Sequence, residues 1–141
     1  MLSYKEMVDL FLMYRKKFKQ FNETMNEFLV PYKISVQHAV YIMVLDTQGP
    51  MTMKEINAYI DNDGAITTRV IKRLKKEGYV QKIGKTIKKY KVELTHLGKL
   101  VSKELLTVFN KAKRTQFKEL SSEDFVLMSK VSQKLSKKLS E

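Results

Sequence analysis

The sequence of 141 residues contains no cysteine and no tryptophan. The missing cysteine excludes disulfide scaffolds, zinc–cysteine sites, thiol nucleophiles and thiol redox switches. The two histidines, His38 and His96, have no further ligand at metal spacing, so we expect no metal site. We expect His38 to be a satisfied core histidine and His96 to be exposed. Paired carboxylates, a nucleophile with a base and a glycine-rich phosphate loop are also missing, so neither an enzyme nor a cofactor is predicted.

Long hydrophobic runs are absent as well. The longest covers residues 39–45, seven residues, whereas a membrane-spanning helix needs about 20. The N-terminus mixes Lys5, Glu6 and Asp9 with its apolar residues, which does not fit a secretory signal. Because 43% of the residues are hydrophobic, the chain is expected to fold, and its length suits one domain over residues 1–141. These features predict a cytoplasmic protein without a membrane partner.

Acidic residues are scarce in one part of the chain. The net charge is +12, from 27 Lys+Arg against 15 Asp+Glu. Residues 65–100 hold 11 of the basic and 2 of the acidic residues, a net +9, whereas residues 1–64 hold 7 basic and 8 acidic residues. A charge-balanced scaffold with one basic module is typical of a protein that binds nucleic acid.

The N-terminal segment carries an aromatic seam in steps of three and four, the 3.5-residue repeat of a long amphipathic helix over residues 3–29. The members of the seam are Tyr4, Met7, Phe11, Tyr14, Phe18, Phe21, Met25 and Phe28. A helix of about 25 residues spans nearly 40 Å, which is longer than a small domain usually covers. A partner subunit is therefore expected.

The remaining sequence predicts a mainly α protein with a small β-hairpin. Caps, turn residues and apolar spacing place helices at residues 36–47, 53–60, 64–77, 96–117 and after Ser121, and strands at residues 79–83 and 90–94. Residues 35–94 therefore contain a short helix, a tight turn, a second helix and a hairpin. That order is typical of a winged helix-turn-helix, in which the second helix stands out from the surface and the hairpin is the wing.

The second helix of this module, residues 64–77, has the pattern of a DNA-reading helix. One side is apolar, and the other carries hydroxyl and cationic groups that can enter a major groove. Cations at the hairpin tip, residues 84–89, and at the start of the preceding short helix would contact the DNA backbone. The predicted DNA contacts are Ala65, Thr67, Thr68, Arg69, Lys72, Lys75, Lys76, Lys54, Lys85, Lys88 and Lys89. For Arg73, a DNA contact and an ion pair within the protein are both open.

Several motifs resemble those of MarR-type transcriptional regulators. Residues 66–80 are similar to the recognition helix and first wing strand of that family, and Leu94-Thr95-His96-Leu97-Gly98 resembles its Leu-Thr-x-x-Gly motif. Met53-Lys54-Glu55-Ile56 and Leu120-Ser121-Ser122-Glu123 fit the expected positions, so the resemblance covers nearly the whole chain. The tip departs from the family pattern because it lacks the usual Asp-x-Arg pair, which favours loose contact with the DNA backbone.

The resemblance implies a homodimer whose two winged modules straddle a pseudo-palindromic operator, usually as a repressor. Residues 1–30 and 96–141 would be the dimerisation helices, with an interface that includes Tyr4, Met7, Phe11, Tyr14, Phe18, Phe125, Met128 and Leu135. Many family members also bind a small-molecule effector. A pocket for one would be lined by Phe11, Tyr14, His38 and Tyr41, although an ordinary aromatic core explains these residues more simply.

Two other functions remain open at this point. The lysine-rich tip would also suit an architectural protein that binds double-stranded DNA with little sequence preference. Alternatively, the winged helix could be an adaptor that binds an acidic protein. Affinity for DNA at low salt, and its dependence on sequence, distinguish the three functions.

Overall fold

The computed structural model describes residues 1–86 and 89–140. Its elements follow in the predicted order, and the mainly α winged helix-turn-helix fold with a small hairpin is confirmed. The helices are α1 (Tyr4–Leu29), α2 (Val36–Gln48), α3 (Met53–Ile60), α4 (Gly64–Lys76), α5 (His96–Thr115) and α6 (Ser122–Ser140), and the strands are β1 (Val80–Thr86) and β2 (Lys89–Leu94). Among these residues no single helix is long and apolar enough to cross a membrane, and the only pair that reaches that length together is bent by 83°.

Side-chain caps set the helix starts that the sequence predicts. The Ser3 hydroxyl accepts from the Glu6 amide, and the Glu6 carboxylate accepts from the Ser3 amide, a complete capping box. The Asp63 carboxylate accepts from the Ala65 amide at 2.7 Å, which fixes the first turn of α4. Each cap satisfies an amide that the helix itself leaves unpaired, so these residues decide where the helices begin.

Helix α1 lies in the core along its C-terminal half only. Met25 and Leu29 are fully buried, and the Phe21 ring packs against Phe109 of α5 at 5.0 Å between centroids. The earlier part of the helix, as far as Phe18, carries exposed apolar side chains, and Phe11 and Phe18 are 65% and 67% exposed. The seam predicted from the 3.5-residue repeat is therefore one continuous helix with two environments.

Helix α2 is the centre of the core, as its apolar sequence predicts. It contributes four buried side chains, and α1, α4, the hairpin and α5 pack against it. The core side chains from these neighbours and from α3 include Ile56, Val70, Ile71, Leu74, Val92, Leu94, Val101 and Leu105. This packing holds α4 on the outside of α2 and α3, with one side of α4 buried.

The hairpin is longer than predicted and contains a bulge. Ile83 pairs with Lys91 and Thr86 with Lys89, so two residues of β1 lie opposite the single residue Tyr90. Gly84 has φ +131°, a conformation that glycine adopts easily. The residues predicted as an irregular tip therefore lie partly in the strands. Met51 adds an isolated bridge to Val92 of β2, which ties the hairpin to the segment before α3.

Candidate nucleic-acid interface

Helix α4 presents a cationic face to solvent. Val70, Ile71 and Leu74 are buried against the core, whereas six predicted contacts lie on the opposite side. These exposed residues are Ala65, Thr68, Arg69, Lys72, Lys75 and Lys76. The apolar stripe fixes the helix, and the exposed side is free to enter a groove about 12 Å wide.

The Thr68 hydroxyl has a defined hydrogen-bonding role. It donates to the Gly64 carbonyl at 2.9 Å, so the oxygen keeps its lone pairs toward solvent. In this state Thr68 is an acceptor, which suits an exocyclic amine of adenine or cytosine in the major groove.

Thr67 does not lie on the DNA-facing side, which corrects the expectation that it contacts DNA. Its side chain is 1% exposed, and its hydroxyl bonds to Tyr41 at 3.0 Å and to Asn57 at 2.8 Å. Thr67 is on the side of α4 that faces α2 and α3, and it is more deeply buried than its neighbour Ile66, which is only half-buried.

Arg73 is held within the protein. Its guanidinium donates to the Lys33 carbonyl at 2.7 Å and lies 3.5 Å from the Glu77 carboxylate. Of the two roles that the sequence leaves open, the structure shows the intramolecular one. Arg73 therefore ties the end of α4 to the turn before α2.

The other predicted basic contacts that the structure describes lie in α3 and in the hairpin. Lys54 is exposed in the first turn of α3, and the Met51–Val92 bridge brings this end of α3 to the hairpin. Lys85 lies in β1 and Lys89 in β2, whereas Lys88 lies outside the described residues.

Sequence reasoning missed Lys82 as a wing cation. Its ammonium lies 4.3 Å from the centroid of the Tyr90 ring on the opposite strand, a cation–π contact that holds the charge on one side of the hairpin. Alternation along β1 gave no signal for this residue, because Lys82 shares a strand face with the buried Val80 and is nevertheless exposed.

The four residues of the predicted effector pocket do not come together in this chain. Phe11 and Tyr14 are exposed, whereas Tyr41 is fully buried and bonded to Thr67. Two open grooves lie elsewhere, one of about 590 Å³ between α5 and α6 and one of about 360 Å³ between α1 and the end of α5. The predicted pocket is therefore wrong for the single chain, because Phe11 and Tyr14 lie in the part of α1 that is outside the core.

His38 is a satisfied histidine, as predicted, but it is half-buried in the first turn of α2 rather than part of the core. Its Nδ1 accepts from the Ser35 amide at 3.2 Å and lies 2.9 Å from the Ser35 hydroxyl. Burial, and to a lesser degree the positive charge of Arg73, lower the pKa of His38 below its usual 6.5. His96 is exposed, as expected. In residues 1–86 and 89–140, no three metal-ligating side chains form a cluster.

A second exposed surface is apolar rather than cationic. Along α1 from Tyr4 to Phe18 and along α6, bulky side chains face solvent: Tyr4, Met7, Phe11, Tyr14, Phe18, Val126, Leu127, Met128, Val131 and Leu135. We call this set the apolar surface. Phe125 differs from the other predicted interface residues because it is half-buried against Phe117, with 6.5 Å between centroids. Apolar area of this extent is typical of a surface that is covered by a partner.

The helix-turn-helix, the exposed cationic helix and the hairpin together define a winged helix-turn-helix protein. The comparisons with known proteins identify its type. Residues 34–86 match the model of the MarR family, so the resemblance seen in the sequence is confirmed.

Two relatives have similar sequences. The chain is 40% identical over 57 residues to the uncharacterized HTH-type transcriptional regulator YwoH of Bacillus subtilis (strain 168), a match that spans 40% of this chain and 42% of YwoH. It is 25% identical over 126 residues to the HTH-type transcriptional regulator BilQ of Clostridioides difficile (strain CD3), which spans 88% of this chain and 83% of BilQ.

Solved structures share the fold over almost the whole chain. A MarR transcriptional regulator from Methanosarcina mazei Go1 superposes with a TM-score of 0.81 and 19% identity, covering 99% of this chain and 94% of that one. A mutant MarR from E. coli, complexed with operator DNA, superposes with a TM-score of 0.74 and 17% identity, covering 96% and 99%. The arrangement of the helices flanking the winged module is therefore also that of MarR structures.

Proposed function

We propose that this protein is a homodimeric transcriptional regulator, without enzymatic activity, that binds double-stranded DNA. In this proposal α4 enters the major groove and the basic hairpin lies on the flanking backbone. The observation that carries it is the cationic face of α4, held outward by a buried apolar stripe on the opposite side. Similarity to HTH-type transcriptional regulators and to a MarR bound to operator DNA supports the same function.

The chemistry of the exposed face divides the contacts into two kinds. Near the N-terminus of α4, Arg69 can bond a guanine with two parallel hydrogen bonds, and Thr68 can accept from a base amine. Lys75 and Lys76, near the C-terminus, suit phosphates, which give affinity without sequence information. The hairpin lysines belong with the second kind. Sequence preference should therefore depend on the first two turns of α4.

The apolar surface supports the homodimer. A single chain leaves this surface in water, whereas pairing two copies about a twofold axis would bury it. The two recognition helices would then reach successive major grooves on one side of the duplex. Half-sites are expected about 34–36 Å apart, or 10–10.5 base pairs.

The test is selection of bound fragments from a random pool of duplex DNA, followed by footprinting. We expect an enriched pseudo-palindrome with half-sites one helical turn apart. Affinity should also fall steeply with salt, by about 10³–10⁵ between 50 and 200 mM if six to ten phosphates are contacted.

Two other results would replace the proposal. Equal affinity for selected and random duplexes, with the same salt slope, would indicate an architectural DNA-binding protein. No affinity for duplex DNA at low salt would favour the adaptor that binds an acidic protein.

Repression and response to an effector are the finer parts of the proposal. A reporter gene placed behind the selected sequence should be expressed less when the protein is present, and an increase would show activation instead. Because the single chain does not form the pocket of Phe11, Tyr14, His38 and Tyr41, an effector site would have to be completed by the second subunit.

A further inference from the structure

Four side chains form a chain of hydrogen bonds beneath the recognition helix. The Asn62 amide group lies 2.8 Å from the Tyr41 hydroxyl, which lies 3.0 Å from the Thr67 hydroxyl. Thr67 in turn lies 2.8 Å from the Asn57 amide oxygen. We call these residues the relay.

The direction of the relay is fixed by its two ends. An amide nitrogen can only donate and an amide oxygen can only accept. Asn62 therefore donates to Tyr41, Tyr41 to Thr67, and Thr67 to Asn57, so each hydroxyl uses its single proton and accepts one bond. Both hydroxyls lie in the core, with Tyr41 0% and Thr67 1% exposed, where an unpaired polar group is costly.

The relay joins every part of the helix-turn-helix. Tyr41 belongs to the central helix α2, Asn57 to α3, Asn62 to the turn and Thr67 to α4. Asn57 also holds the turn through its backbone, because its carbonyl accepts from the amides of Asp61 and Asn62 at 2.9 and 3.3 Å. Asp61 has a left-handed φ of 58° there, which needs such support.

Thr67 directly precedes the two residues of α4 best placed to read bases. These residues, Thr68 and Arg69, are both exposed. A rotation or tilt of the first turn of α4 would move both side chains out of register with the bases, since productive contacts tolerate only small displacements.

We propose that the Tyr41 hydroxyl is a positioning group: through Thr67 and Asn62 it sets the orientation of the first turn of α4, and thereby the sequence preference of the protein for DNA. This inference rests on the proposed function, because it needs α4 to read DNA. Its structural half, the ordering of the turn, does not need DNA.

The experiment compares Tyr41→Phe with Tyr79→Phe. Each removes one buried or nearly buried phenol hydroxyl and leaves the ring in place. The Tyr79 hydroxyl donates to the Tyr32 carbonyl at 2.7 Å, outside the relay, so this variant controls for a general loss of stability. Thr67→Val removes the other hydroxyl of the relay, and with it the bonds to Tyr41 and Asn57, with little change in the shape of the side chain.

The first measurement is the ratio of affinity for the selected duplex to affinity for a random duplex, by anisotropy titration at fixed salt. We expect Tyr41→Phe and Thr67→Val each to lower this ratio about tenfold, the effect of one buried hydrogen bond. The double variant should lose little more, because both changes break the same relay. Tyr79→Phe should keep the ratio of the unsubstituted protein.

The second measurement is amide hydrogen exchange of residues 61–67 without DNA. We expect exchange about tenfold faster in Tyr41→Phe than in Tyr79→Phe. An unchanged affinity ratio in Tyr41→Phe, or equal exchange in the two variants, overturns the positioning role. If the unsubstituted protein binds no duplex, the proposed function fails, the DNA-reading half of this inference fails with it, and exchange alone decides whether the relay orders the turn.

Discussion

Gly98 lies in the first turn of α5, where the backbone of α5 passes close to Tyr79, the residue before β1. A Cβ at this position would collide with the carbonyl oxygen of Tyr79, which already accepts from the Thr95 amide at 3.0 Å. Because the obstacle is backbone, Gly98→Ala should lower the free energy of unfolding by about 1–3 kcal/mol, the usual cost of overpacking.

Urea unfolding followed by circular dichroism measures this loss. Gly64→Ala is the matched control, because no atom lies within 4 Å of a Cβ placed there. Its stability should be unchanged or higher by about 0.4–1 kcal/mol. Equal stabilities for the two variants would show that α5 shifts freely away from Tyr79.

His38 makes stability depend on pH in a definite direction. Its pKa is lowered in the folded state from 6.5, by burial first and by Arg73 second, so the unfolded chain takes up the proton at higher pH. The stabilisation is complete above about pH 6.5 and is lost as the pH falls from there toward the folded pKa. Protonation also removes the Nδ1 lone pair that accepts from Ser35.

The variant His38→Asn keeps an acceptor at this position but does not titrate. We expect the melting temperature of the unsubstituted protein to fall more than that of His38→Asn between about pH 7.5 and pH 5.5. The same measurement on His96→Asn, at the exposed second histidine, is the control for replacing a histidine by asparagine. Parallel profiles for His38→Asn and the unsubstituted protein would rule out this role for His38.

At the scale of the element, we expect different residues of α4 to provide sequence preference and general affinity for DNA. Arg69→Ala should cost about 1–3 kcal/mol on the selected duplex and relax the preference at one base position. Lys76→Ala should weaken selected and random duplexes alike and reduce the slope of log affinity against log salt by about 1. Anisotropy titrations at several salt concentrations measure both. If the two variants lose affinity equally on both duplexes, Arg69 has no reading role.

The elements were predictable to within a few residues because their signals are local. The cap at Asp63 and the apolar stripe of α4 both depend on neighbouring residues. The Met51 bridge was not, because a single pair of residues has no periodicity. The bulge at Gly84 was also missed, since strand alternation does not reveal one extra residue.

The candidate site was predictable where it depends on one helix and unpredictable where helices meet. A helical wheel places Thr68 and Arg69 outward correctly, but the burial of Thr67 depends on Tyr41 and Asn57, which come from two other helices. The prediction of a pocket around Phe11 was wrong for a related reason. A repeat of 3.5 residues shows which side of α1 is apolar, not where along its length the core ends.

At the scale of the whole molecule, we expect that a substitution in the apolar surface can weaken the proposed dimer without unfolding the chain. Phe11 is 65% exposed in the single chain, so Phe11→Asp should leave the fold intact. In the proposed dimer it places a charge in the interface, and we expect dimerisation at least about tenfold weaker. Sedimentation equilibrium measures the change.

Val30 provides the control for this experiment. It is 70% exposed, lies directly after the C-terminal end of α1 and is not part of the apolar surface, so Val30→Asp should sediment like the unsubstituted protein. Loss of dimer in both variants would indicate general destabilisation. An unsubstituted protein that sediments as a single chain would refute the proposed homodimer.

Helix α1 is 26 residues long and contains neither glycine nor proline. It has none of the usual causes of a kink, and at 1.5 Å per residue it is about 39 Å long. One end is embedded among Met25, Leu29 and their neighbours, and the other would be clasped by the second subunit. In the proposed dimer α1 is therefore a rigid connection between the subunit contact and the winged module. A tilt of a few degrees at the subunit contact would move the whole winged module by several ångströms. The distance between the two α4 helices would then no longer match one helical turn of the duplex.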